Sequence, residues 1–199
     1  MAEYGVVVLG AAGVGKTALT VGFATGHFQE DWEVTVDDSY RKQFAVDGET
    51  CTLLVLIIFS FRFHVLLTFT FFSNLQTALK DQYLRRAEGF MIVYAITSHS
   101  SFESVAGFRD RMLALKMLDA VPMVVVGNKC DLDGQRAVAT DEGAALTASF
   151  GPSCRFIETS AQSRINVEEA FAQLVRAIRQ PNAPPLDPSA ERRRKCSLF

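Results

Sequence analysis

Eight consecutive residues constrain this chain more than any others: Gly10-Ala11-Ala12-Gly13-Val14-Gly15-Lys16-Thr17, a G-x-x-x-x-G-K-T run. A short apolar run, Val6 to Leu9, precedes it, and a stretch of helical character follows from Thr17 to about Ala24. Strand, glycine-rich loop and helix in that order turn successive backbone N–H groups onto phosphate oxygens, with the helix dipole behind them. The ammonium of Lys16 belongs against the β- and γ-phosphates of a nucleotide, and the hydroxyl of Thr17 on Mg²⁺.

The rest of the chain continues the alternation. Ser39 to Val46 and Thr50 to Leu56 flank Asp47-Gly48, which predicts a two-residue hairpin. Phe90 to Ala95 and Met123 to Val126 read as buried parallel strands. Between them a helix of about five turns is expected, started by a capping box of Ser100 and Glu103. Asn166 with Glu169 gives the same start signal. Val167, Ala170, Phe171, Leu174, Val175 and Ile178 then recur at helical spacing. The expected fold class is α/β: a three-layer sandwich, a mostly parallel six-stranded sheet with one antiparallel hairpin, and about five helices.

A second motif selects the nucleotide. Asn128-Lys129-Cys130-Asp131 follows the strand Met123 to Val126. A carboxylate there accepts hydrogen bonds from N1–H and N2–H₂ of guanine, a donor pair that adenine lacks. This argues against an ATP-dependent phosphate-loop enzyme such as a kinase. Glu158-Thr159-Ser160-Ala161-Gln162, at the end of another short strand, offers backbone N–H groups to guanine O6.

With these motifs in this order, the chain resembles a small GTPase of the Ras family over about Glu3 to Leu56 and Thr77 to Gln180, plus the tail. Asp38 to Gln43, Asp81-Gln82-Tyr83 and Gly89-Phe90 look like the Ras branch. The resemblance implies GTP or GDP as ligand with Mg²⁺, held at the phosphates by Gly13, Val14, Gly15, Lys16, Thr17 and Ala18 within the loop that begins at Gly10, Ala11 and Ala12. It implies Phe28 against the base, although Phe28 reads equally as core. Asn128, Lys129 and Asp131 would read guanine, with Ser160 and Ala161 beneath it and Gln162 where a lysine is more usual. Thr35 would join Thr17 at the metal. Glu33, Val34, Thr35, Val36, Asp37, Asp38, Ser39 and Tyr40 would form the switch and effector face, where Trp32, Val34, Val36 and Asp37 depart from the commonest pattern. The partners implied are effector proteins, an exchange factor, a GTPase-activating protein and a prenyltransferase, around a monomer.

Two departures bear on catalysis. The family carries D-T-A-G-Q directly after the strand ending near Leu56: a magnesium-supporting aspartate, a γ-phosphate glycine and a water-orienting glutamine. Here residues 57–76 stand in that place, with six of the chain's 16 phenylalanines in 20 residues. The bare D-x-x-G pattern recurs at Asp131 to Gly134, but Asp131 already belongs to the base motif. No catalytic residue of the family is therefore intact. The second departure is Ala12, where glycine is usual; its methyl crowds both that glutamine and an incoming arginine finger.

Three readings of the segment stay open: an aberrant insert such as a retained intron, since Phe, Leu and Ser codons are pyrimidine-rich; an extra strand or hairpin; or a membrane-inserted element over Leu53 to Phe72. Arg62 opposes the last at about 2.5–3.5 kcal/mol. The functional alternative is a chain that keeps weak guanine-nucleotide affinity without switching or hydrolysing.

The expected domains are 1–180 and a tail over 181–199, in which Pro181 to Pro188 holds four prolines. Net charge is −2, yet Arg192-Arg193-Arg194-Lys195 is basic, so the body is acidic. That argues against nucleic acid and, at the tail, for an anionic membrane surface. Cys196-Ser197-Leu198-Phe199 matches the C-a-a-X pattern, with terminal Phe favouring geranylgeranyl on Cys196. The expected location is the cytoplasmic face of the plasma membrane or another membrane. The four cysteines show no zinc or disulfide spacing, and MAEYGVVVLG does not read as a signal peptide.

Overall fold

The computed structural model describes residues 1–28, 38–58 and 82–180. Among these residues six strands form one sheet: β1 (Ala2–Leu9), β2 (Asp38–Val46), β3 (Glu49–Ile57), β4 (Gly89–Ala95), β5 (Met123–Asn128) and β6 (Cys154–Thr159), in the spatial order β2-β3-β1-β4-β5-β6. Only β2 and β3 pair antiparallel; the other neighbours are parallel. The helices are α1 (Lys16–Thr25), α2 (His99–Lys116), α3 (Thr140–Ser149) and α4 (Val167–Arg179), with a 3₁₀ segment Cys130–Gln135 and a short helical segment over 82–86. This is the expected α/β architecture.

Side-chain alternation builds the layers. Val6 and Val8 of β1 point into one core cluster with Leu19 and Phe23 of α1 and Phe171 and Leu174 of α4. Val7 and Leu9 point into the other, with Val105 and Met112 of α2. Every residue of β4 is buried, as a central strand covered on both faces requires. The apolar face of α4 seats Phe171 flat on Phe23, with ring centroids 3.9 Å apart.

The Asp47-Gly48 hairpin forms as expected, with both residues left-handed (φ 55° and 83°) and Val46 opposite Glu49. Arg176 of α4 grips Asp47 through both carboxylate oxygens at 2.9–3.1 Å and holds that carboxyl below its usual range.

Four expectations are corrected. The cap of α2 is Ser98, whose hydroxyl accepts from Ser101 N–H. Ser100 and Glu103 form no box, because Ser101 Oγ reaches back to Ala95 N–H and fixes the start two residues earlier; Glu103 faces His99 instead. Asn166 does take the N-cap position of α4, as expected, but its side chain forms no capping box: its amide donates to Glu158 O, and Glu169 pairs with Arg176. The segment 57–76 does not leave the fold at its first residue. Ile57 pairs with Val8, Ile58 N–H donates to Val8 O, and each is 2% exposed. Finally, a membrane helix from Leu53 is excluded over its first five residues, which belong to β3. Residues 59–76, the rest of that segment, lie outside the described residues.

Candidate functional site

The glycine-rich loop leaves the carboxyl end of β1, beside the ends of β3 and β4, where open α/β sheets place their ligands. Two glycines are dictated by their surroundings. A Cβ on Gly10 (φ 146°) would lie 2.1 Å from Val93 O of β4. One on Gly15 (φ 95°) would lie 2.3 Å from Asn128 Nδ2. The loop backbone is thus wedged against β4 on one side and β5 on the other.

Lys16 opens α1 and is 5% exposed. Its ammonium donates to Gly10 O at 2.9 Å and Ala11 O at 2.8 Å, which folds it over the loop it follows. Burial pulls its pKa down to about 8. A buried cation with its head against the inner rim of an N–H-rich loop is suited to a polyphosphate anion. Thr17 and Ala18 follow on α1. Ala12 and Gly13 are exposed on the outer turn, and Val14 is buried.

The two base motifs meet this loop through one side chain. Asn128 is the last residue of β5 and is 1% exposed. Its Nδ2 donates to Val14 O at 2.9 Å. Its Oδ1 accepts from Thr159 Oγ1 at 3.1 Å and from Ala161 N–H at 3.3 Å. Asn128 therefore staples the phosphate loop, the end of β5 and the loop after β6 into one body. Thr159 is the partner that sequence reasoning passed over, although it stands in the quoted Glu158–Gln162 motif.

Lys129 turns the chain in left-handed conformation (φ 69°), and Asp131 lies exposed in the following 3₁₀ segment. Ser160 is fixed locally, its N–H to Ile165 O and its hydroxyl accepting from Ser163 N–H. Ala161 is buried and Gln162 exposed. Phe28 is half-buried and packs on the α1/α4 side of the core.

The metal side is thinner. Thr17 is in place at the start of α1. The end of β3, where the family's aspartate is expected, carries Ile57 and Ile58, both in the core and without an oxygen ligand. Among the described residues no group of three His, Cys, Asp or Glu could hold a metal. Mg²⁺ is bound through one or two carboxylates or hydroxyls plus substrate phosphates. Thr17 and the phosphates fit that pattern; the β3 end does not add to it. Glu33, Val34, Thr35, Val36 and Asp37, the side chain of Asp38, and Cys196 lie outside the described residues. Ser39 is exposed and Tyr40 half-buried on β2.

The family model described as Ras family matches residues 5–57 and 74–180, so that 58–73 fall between the two matched stretches.

Proposed function

The chain belongs to the Ras family, and from that premise we propose a guanine-nucleotide switch of the Ras branch that keeps its binding half and has lost much of its catalytic half. Members of this family bind GTP or GDP with Mg²⁺, hydrolyse GTP, and act with effectors, exchange factors and GTPase-activating proteins. The observation that carries the reading is the Asn128 staple, which gathers the phosphate loop and both base motifs at one end of the sheet.

In this reading Gly10 to Thr17 hold the phosphates, Lys16 neutralises them, and Thr17 holds Mg²⁺. Asp131 accepts from the guanine edge, flanked by Lys129 and Ala161. Hydrolysis is impaired because Ile57 and Ile58 occupy the strand end that should carry the aspartate, and no D-T-A-G-Q follows them. The lost glycine and glutamine act on charge and geometry of the transition state, so kcat suffers most. Ala12 opposes an arginine finger, which is worth roughly 10³–10⁵-fold in this class.

Residues 1–180 form the nucleotide-binding domain, and 181–199 a spacer and anchor. Prenylation at Cys196 by a prenyltransferase, with Arg192 to Lys195 as the second signal, places the protein on the cytoplasmic face of a membrane, since one lipid chain alone binds marginally. Residues 33–40, including Thr35, contact effectors.

Two measurements on the full chain test this. GDP binding over ADP, with Mg²⁺ varied, tests the site; single-turnover GTP hydrolysis tests the defect. The expected outcome is selective GDP binding, weakly dependent on Mg²⁺, with hydrolysis far below the family's ordinary rate. Equal affinity for ADP and GDP refutes the site, and ordinary hydrolysis refutes the defect.

A further inference from the structure

The carboxylate read as the guanine acceptor stands on a turn that meets the core through half-buried Cys130 at its start. None of the residues Cys130–Gln135 is buried, Leu132 breaks the helical geometry (φ −91°, ψ 41°), and the turn follows a left-handed Lys129. Asn128 fixes its upstream end. Downstream, the Arg136 guanidinium makes four hydrogen bonds. It donates to Asp133 Oδ1 at 2.7 Å, to Glu158 Oε1 and Oε2 at 2.7 and 3.0 Å, and to Val138 O at 3.1 Å.

Glu158 gathers from the other side. Its carboxylate also accepts from Thr140 Oγ1 at 3.0 Å, and its backbone carbonyl accepts from Asn166 Nδ2 at 2.8 Å. It stands on β6, one residue before Thr159 and three before Ala161, so the same residue anchors the loop that the Asn128 staple reaches from within. The two side chains are 21% and 17% exposed, which shields the pair from solvent on most sides. A fork-to-fork arginine–carboxylate contact fixes orientation as well as distance.

We propose that Arg136 and Glu158 are a positioning pair for base recognition: they hold the turn bearing Asp131 at a set distance from the loop bearing Ala161, and so determine guanine selectivity and the residence time of the nucleotide. Neither residue touches the ligand in this account; each acts through Asp131. The proposal rests on the reading of Asp131 as the guanine acceptor.

The test compares release of GDP and of inosine diphosphate, which lacks the 2-amino group, from the full chain and from Glu158→Gln, Arg136→Lys and the double variant. Glu158→Gln is isosteric, keeps an acceptor for Thr140 and leaves the Asn166 contact to the backbone intact; thermal unfolding confirms that it folds. With the pair weakened, GDP release should quicken about tenfold, the factor that 1.4 kcal/mol represents. Inosine diphosphate release should quicken much less, because its contact with Asp131 is already partial. Arg136→Lys should show the same change, smaller, and the double variant less than the product of the two.

A collapse of the GDP-to-inosine ratio with sub-multiplicative effects supports the pair. Unchanged release, or equal quickening of both nucleotides, overturns it, because a general loosening of the domain would not distinguish the bases. If the parent chain itself binds GDP no better than ADP, the reading of Asp131 fails first, and that result is visible before any variant is made.

Discussion

Substituting Asn128 by Ala should damage stability and nucleotide retention together, and the structure sets the size. The change removes three hydrogen bonds: to Val14 O, from Thr159 Oγ1 and from Ala161 N–H. Each is worth about 0.5–1.5 kcal/mol net, and at 1% exposure water does not replace the lost partner. The sum is about 3 kcal/mol. For a domain of this size each kcal/mol moves Tm by about 2–4 °C, so Tm should fall by roughly 6–12 °C, measured by circular dichroism at fixed GDP and Mg²⁺. GDP release should quicken as well, since the phosphate loop loses its tie to β5. Two companions separate the arms of the staple. Thr159→Val removes one bond, costing about 1 kcal/mol, and leaves the Val14 contact and hence release nearly intact. Asn128→Asp keeps both acceptor contacts but sets a carboxylate oxygen against Val14 O, so release should quicken more than with Thr159→Val. An Asn128→Ala protein that melts within about 1 °C of the parent and releases GDP at the parent rate would refute the staple.

Further outcomes follow from single sites. Burial lowers Lys16 to about 8, so the folded chain holds that proton less tightly than the unfolded chain. The cost is fully present below pH 8 and fades as pH rises toward 10.5. Phosphate favours the ammonium, so GDP binding at pH 8.5 should take up roughly three-quarters of a proton, read by calorimetry in buffers of different ionisation enthalpy; no uptake rejects the Lys16–phosphate contact. Tyr94 is fully buried and its hydroxyl has no hydrogen-bond partner among the described residues, so Tyr94→Phe should stabilise by about 1 kcal/mol in thermal unfolding. A loss of stability would show a partner for that oxygen. Asp131→Asn should let xanthosine diphosphate displace GDP in competition, and unchanged preference would remove Asp131 from the base site. Cys196→Ser should release the protein from the membrane fraction of cells; persistence there would place the anchor elsewhere.

Sequence alone determined what depends on neighbours along the chain. The glycine-rich loop, the left-handed Asp47-Gly48 turn and the apolar stripe of α4 are local: residue type and spacing dictate backbone geometry or a buried face within a few positions. The break in the family pattern after Leu56 was legible too, as composition. Its edge was not, because only the parallel register with Val8 shows that Ile57 completes β3 and that Ile58 follows it into the core. The start of α2 was misplaced for a similar reason. Ser98 and Ser100 are the same residue type, and the choice rests on Ser101 reaching across to the end of β4. Asn128 and the Arg136–Glu158 pair mark the division most clearly. In sequence Asn128 is part of a base motif 114 residues from Val14, and Glu158 is 22 residues from Arg136. Parallel pairing brings the carboxyl ends of β1, β5 and β6 to one end of the sheet. A hydrogen bond acts only over about 3 Å, so the groups it joins are chosen by that topology and not by their separation along the chain.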